Sequence, residues 1–135
     1  MSEMRKISYR DAVREAMVEE MRRDEKVFLM GEDIGVYDGA FGVSKGMIGE
    51  FGPERVRETP ISEQAFVGAG VGAAITGMRP IVELMFSDFM TVCYDQIINQ
   101  AAKIVSFMDS DDAVDILEQM EASAKEKIVT LLDAD

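Results

Sequence analysis

Residues 59–74 read TPISEQAFVGAGVGAA, and this stretch constrains the fold more than any other. A strand-like run, Arg55-Val56-Arg57-Glu58-Thr59, stops at Pro60. A carboxylate, Glu63, follows in the turn, and then comes a run dominated by Gly and Ala. Glycines at 68, 70, 72 and 77 each weaken a helix by about 1 kcal/mol relative to Ala. Such a helix forms only if something packs closely against its backbone, either another helix or a flat ligand. A carboxylate at a strand-to-helix turn stands where α/β proteins place ligand chemistry. The same position also suits a plain helix cap, its charge facing the positive end of the helix dipole. Spacing alone leaves the two roles for Glu63 evenly balanced.

The flanking chain supplies the rest of a sheet. Ser8 followed by Asp11 resembles a capping box. After it, Tyr9, Ala12, Val13, Ala16, Met17 and Met21 fall on one stripe of a predicted amphipathic helix. Val27-Phe28-Leu29-Met30 is a continuous apolar run, as in a strand buried on both faces. It leads into Gly31-Glu32-Asp33-Ile34-Gly35, a turn with two carboxylates. Residues 39–52 are punctuated by glycine, with a short helix expected around Ser44 to Glu50. Tyr37, Phe41 and Phe51 argue against a purely solvated loop there. Pro80 to Phe86 reads as a third strand, with proline at its start where a missing N–H is tolerated. Ser87 or Asp88 then caps a helix from Phe89 to about Val105. Strands alternating with helices predict a parallel sheet covered on both faces. Ligands of such sheets sit beyond the carboxyl ends of the strands. Glu32, Glu63 and the segment after Phe86 all lie at those ends.

Charge and composition exclude several function classes. The chain carries a net charge of −12 and contains no histidine. Nucleic-acid binding is therefore disfavoured, because phosphate neutralisation needs clustered Lys and Arg. Histidine is also unavailable as general base or metal ligand. The single cysteine, Cys93, has no histidine to activate it and reads as a small buried residue. No apolar run reaches membrane-spanning length, and MSEMRK lacks a signal-peptide core, so the cytoplasm is the default compartment. Residues 1–105 hold 17 acidic and 12 basic side chains, whereas residues 106–135 hold 9 and 2. That jump predicts a boundary near residue 105.

Four blocks carry a resemblance to a known family: ISYRDAVREAM, FLMGEDIGVYDGAFGVSKG, FGPERVRETPISEQAFVGAGVGAAITGMRPIVELMFSDFM and DQIINQAAKI. From Ile7 to about Ile104 the chain resembles the N-terminal part of the β subunit of thiamine-diphosphate-dependent 2-oxo acid dehydrogenases. These are the decarboxylating components of the pyruvate, branched-chain and acetoin dehydrogenase complexes. The resemblance implies a transketolase-like pyrimidine-binding domain over residues 1–105, truncated, since a family β subunit continues past NQAAKI. In that family a partner α subunit, in an α2β2 assembly, holds the diphosphate and its magnesium, and an acyltransferase core completes the complex. Glu63 matches the carboxylate that hydrogen-bonds the pyrimidine ring nitrogen, a proton held there favouring the cofactor's reactive form. Met85 and Phe89 match residues lining the aminopyrimidine ring, although core packing explains Met85 equally simply. Glu32 and Asp95 match acidic residues of a solvent-filled tunnel joining paired active sites, and a structural ion pair explains Asp95 as well. The implied activity is oxidative decarboxylation of a 2-oxo acid or acetoin chemistry, with the shortened chain inactive by itself and prone to self-association.

The end of the chain is different. Ser110 heads Asp111 to Met120, with Ala113, Ile116, Leu117 and Met120 on one face, and Ser123 starts a second helical pattern. Residues 106–135 thus predict an acidic helical hairpin. MDSDDAVDILEQMEASAKEKIVTLLDAD resembles one repeat of the N-terminal domain of bacterial magnesium transporters, and a lone hairpin of that kind needs neighbours to cover its apolar face. Asp109, Asp111, Asp112 and Asp115 lack calcium-loop spacing and its glycine, so a solvated acidic face is the simpler reading. A non-catalytic interaction module using this hairpin is the alternative function.

Overall fold

The computed structural model describes residues 6–107. The expected hairpin lies outside them, apart from Ser106 and Phe107. A three-stranded parallel sheet forms the centre, in the order β2-β1-β3, from β1 (Val27–Gly31), β2 (Val56–Glu58) and β3 (Arg79–Val82). Helix α1 (Tyr9–Arg23) precedes it, α2 (Met47–Phe51) joins β1 to β2, and α3 (Glu63–Ile75) joins β2 to β3.

Every residue of β1 is buried, as a central strand requires, and alternation divides its side chains between two cores. Val27 and Leu29 join Met21, Ile34, Met47 and Val56 on the α1–α2 face. Phe28 and Met30 join Phe66, Val67 and Cys93 on the α3 face. The α/β sandwich expected from the alternating pattern is therefore present.

α3 shows why so much glycine is tolerated. A Cβ on Gly70 would stand 2.6 Å from Val82 Cγ2, and one on Gly68 would stand 2.7 Å from Gln96 Oε1. At Gly70 the sheet approaches the helix backbone too closely for a side chain, whereas at Gly68 the neighbour is the flexible end of Gln96.

Several boundaries differ from expectation. β3 starts one residue earlier and stops at Val82 rather than Phe86. Its partner β1 ends at Gly31, so beyond the Glu83 N–H, which donates to Met30 O at 2.9 Å, no strand continues the pairing. Ser87 and Asp88 fall inside the next segment, and Phe86 takes the cap position. The single helix expected over 89–105 is a 3₁₀ segment (Ser87–Cys93), a π-wound segment (Asp95–Ala101) and α4 (Ala102–Phe107). Apolar periodicity alone does not separate these windings, which share most of their inward positions. In α1, Met17, Val18 and Met21 face the core, while Tyr9, Val13 and Ala16 stay exposed. The helix meets the sheet through its C-terminal half. There Arg55 ties it down, its guanidinium donating to Met21 O (2.7 Å), Asp24 O (2.8 Å) and Val27 O.

Candidate active site

In the order β2-β1-β3 the chain crosses from β1 to one neighbour over one face and from β2 to the other neighbour over the opposite face. The crevice opens where these connections diverge, at the carboxyl ends of the strands. Three turns meet there: residues 32–46 after β1, 59–62 after β2 and 83–86 after β3.

The first turn is tightly wound. Asp33 and Asp38 adopt positive φ (54° and 65°), the left-handed region that Asp tolerates better than most residues. Gly39 N–H donates to Asp33 O at 2.8 Å, and Asp38 Oδ1 accepts the Gly46 N–H at 2.9 Å. Glu32 leaves this turn inward and is only 7% exposed. Its Oε1 has no partner among the described residues. The second turn delivers Glu63 as the first residue of α3, 9% exposed. Ser62, the residue before it, makes no side-chain capping bond.

These two carboxylates are electrostatic neighbours. Burial first, and then the charge of Glu63, push the Glu32 carboxyl above the usual carboxylate range. The Ser62 backbone N–H opposes that shift, and Asp33 adds a smaller push. Cys93 is fully buried at the end of the 3₁₀ segment, its thiol pushed up by burial and, less, by the Glu63 charge. It contacts the Phe89 and Met90 carbonyls and behaves as the small core residue expected from sequence.

Apolar side chains stand on the same three connections. Phe89 is half-buried and packs edge-to-face on Phe86 at 5.5 Å, which packs the same way on Phe41. Met85 is half-buried beside them in sequence. Val36, Tyr37 and Ile61 stand 88%, 70% and 85% exposed on the same turns.

The structure thus brings Glu32 and Glu63 together, while Met85 lies on the turn after β3 and Phe89 in the 3₁₀ segment that follows it. Asp95 stands on a different element. It is exposed at the start of the π-wound segment, and its hydrogen bonds are local, to Asn99 (2.9 Å) and Gln96 (3.5 Å). Two residues at the strand ends escaped sequence reasoning. Thr59 Oγ1 and Glu83 Oε2 are both buried without a partner among the described residues, and burial raises the Glu83 carboxyl. The available signals were a carboxylate inside the apolar run IVELMF and a hydroxyl immediately after the strand VRE.

Other features lie elsewhere. A cleft of about 340 Å³ between α1 and α2, lined by Arg14, Arg22, Lys45 and Glu50 among others, contains none of these carboxylates. Among the described residues no cluster of three or more His, Cys, Asp and Glu could hold a metal ion, and no helix is long and apolar enough to cross a membrane.

Residues 5–107 match the family model of the transketolase pyrimidine-binding domain. Residues 97–135 match the MgtE intracellular N domain. Over 102 residues, 76% of its length, the chain is 54% identical to the pyruvate dehydrogenase E1 component subunit beta of Rhizobium meliloti (strain 1021). It is 50% identical over 111 residues to the acetoin:2,6-dichlorophenolindophenol oxidoreductase subunit beta of Bacillus subtilis (strain 168), matching 73% of the chain. The 2-oxoisovalerate dehydrogenase subunit beta of the same bacterium is 51% identical over 98 residues, again 73% of the chain. The chain spans 22%, 32% and 30% of the lengths of these curated relatives.

Proposed function

The chain belongs to the transketolase pyrimidine-binding domain family, and from that premise we propose that it is the pyrimidine-binding segment of the β subunit of a thiamine-diphosphate-dependent 2-oxo acid or acetoin dehydrogenase. The observation that carries this reading is Glu63, a buried carboxylate heading a glycine-rich helix beside a second carboxylate whose proton affinity is raised.

The residues fit an aminopyrimidine. A flat heterocycle needs one acceptor at a ring nitrogen, further polar groups at its edge and apolar walls. Glu63 supplies the acceptor, and Glu32 Oε1 and Thr59 Oγ1 are buried oxygens without a partner among the described residues. Phe89 and Met85 supply the walls. When bound, thiamine diphosphate provides the carbon that attacks the substrate carbonyl and stores the electrons released with carbon dioxide. The chain's own task is electrostatic. Glu63 holds a proton at the ring nitrogen, and burial makes that hydrogen bond stronger than it would be in water. Glu32 lies beside Glu63, its carboxyl held above the usual range first by burial and then by the Glu63 charge. Asp95 serves with Glu32 in the acidic tunnel once the assembly is complete. The diphosphate and its magnesium are held by the α subunit of an α2β2 assembly in the cytoplasm, which passes its product to an acyltransferase core.

A second reading has its own support. The match of residues 97–135 to the MgtE intracellular N domain favours residues 106–135 as a separate acidic helical unit. The whole chain would then act as an interaction module with residues 1–105 as scaffold.

Glu63→Gln, placed in a complete β subunit assembled with its α partner, separates the two roles of Glu63. Loss of thiazolium proton exchange at an unchanged melting temperature supports the cofactor role. Normal exchange with stability lowered by a few tenths to about 1 kcal/mol means that Glu63 is only a helix cap.

A further inference from the structure

Two buried oxygens at the crevice, Glu32 Oε1 and Thr59 Oγ1, have no partner among the described residues. They are neighbours by register. The parallel ladder pairs Gly31 with Glu58, and Thr59 N–H donates to Gly31 O at 2.9 Å. Glu32 and Thr59 are the next residue after each strand, one step past the last pair of the ladder. Carried one residue past the strand ends, alternation directs both side chains toward the α3 face. Arg57, two residues before Thr59, lies over the Phe28 ring at 4.9 Å on that face, and Met30, two before Glu32, belongs to the same core. An unpaired hydroxyl or carboxyl in such surroundings is costly. The threonine hydroxyl can donate as well as accept.

We propose that Thr59 is a positioning residue for the Glu32–Glu63 pair, its hydroxyl donating to one water that in turn donates a hydrogen bond to Glu32. A donor to the carboxylate favours the anion. Thr59 therefore opposes the rise in Glu32 proton affinity that burial and the Glu63 charge produce. The groups facing Glu32 are Glu63 and the Ser62 N–H from the start of α3, and Asp33 from its own turn. Cys93, on the 3₁₀ segment, faces Glu63. The catalytic consequence rests on the cofactor reading of Glu63, whereas the Thr59–Glu32 contact does not.

The contact is tested in the full chain, labelled with ¹³C at the glutamate carboxyls. The Glu32 resonance is identified by its loss in Glu32→Gln and titrated over roughly pH 4 to 9. Thr59→Val should move the Glu32 midpoint up by about one pH unit, and Thr59→Ser should leave it near the parent value. Should the valine variant not fold, Thr59→Ala makes the same comparison. A midpoint that stays or falls without the hydroxyl overturns the proposal, as does a serine variant that behaves like valine. In a complete β subunit with its α partner, the pH profile of thiazolium exchange should shift with Glu32. A moved Glu32 midpoint with an unmoved exchange profile supports the Thr59 contact and rejects the cofactor role assigned to the pair.

Discussion

Gly70 and Gly72 lie two residues apart on α3 and differ in what a methyl group would meet. A Cβ on Gly70 runs into Val82 Cγ2, a stiff β-branched side chain on β3, whereas one on Gly72 meets nothing within 4 Å among the described residues. Gly72→Ala should therefore stabilise the fold by about 1 kcal/mol, the helix-propensity difference. Gly70→Ala gains the same amount and loses about 1–3 kcal/mol to overpacking, so it should come out neutral to destabilised by about 2 kcal/mol. Urea midpoints of the two variants check this, and a Gly70→Ala chain as stable as Gly72→Ala would mean that α3 does not press on the sheet as described. Composition made close approach to this helix legible. It did not show which glycine faced the strand, because an all-apolar helix has no polar stripe to mark its outer side.

At the scale of elements, Arg55 is the tie between α1, β1 and β2. Its guanidinium reaches the carbonyls of Met21, Asp24 and Val27 and lies over the Phe51 ring at 5.4 Å. These carbonyls end a helix and begin a strand, where the regular ladders leave backbone acceptors open, although Asp24 O also accepts the Val27 N–H at 3.2 Å. Arg55→Met should cost about 2–3 kcal/mol, and Arg55→Lys should recover little, since a point charge cannot span three carbonyls. Equal denaturant midpoints for Arg55→Lys and the parent would reject the clamp. Nothing in the sequence distinguished Arg55 from its neighbour Arg57, which lies over Phe28. The three strands and the first three helices were legible because burial on one face or two imposes its period on the residues. Their ends were less so. β3 stops where its partner stops, and the windings after Phe86 answer to packing against α3 through Gln96 and Ile97. The Glu32–Glu63 pair was legible as two turns converging on one rim, while Thr59 and Glu83 emerged only once register and burial were known.

For the molecule as a whole, the buried carboxyls set how stability responds to pH. Glu32 and Glu83 bind protons more tightly folded than unfolded, both mainly because burial disfavours their charge. Their contribution is fully present below the ordinary carboxyl value of about 4.3 and is lost as pH rises through their folded values. Asp11, Asp24 and Glu50 are shifted the other way, chiefly by the Ser8 hydroxyl, the Lys26 backbone N–H and Arg22 respectively. Their contribution holds above about 4 and disappears only in stronger acid, and solvent screens these exposed groups. Above the ordinary carboxyl range Glu32 and Glu83 should therefore dominate, and stability should fall as pH rises through their folded values. A net charge of −12 adds self-repulsion in the same direction. Salt separates the two causes, because it screens the surface charges far more than the buried ones. Urea unfolding at several pH values in high salt should retain a downward slope, and Glu32→Gln with Glu83→Gln should flatten it. A double variant that keeps the parent slope in high salt, or a parent whose stability climbs toward neutrality, would show that these two carboxyls are not charged at a cost inside the fold.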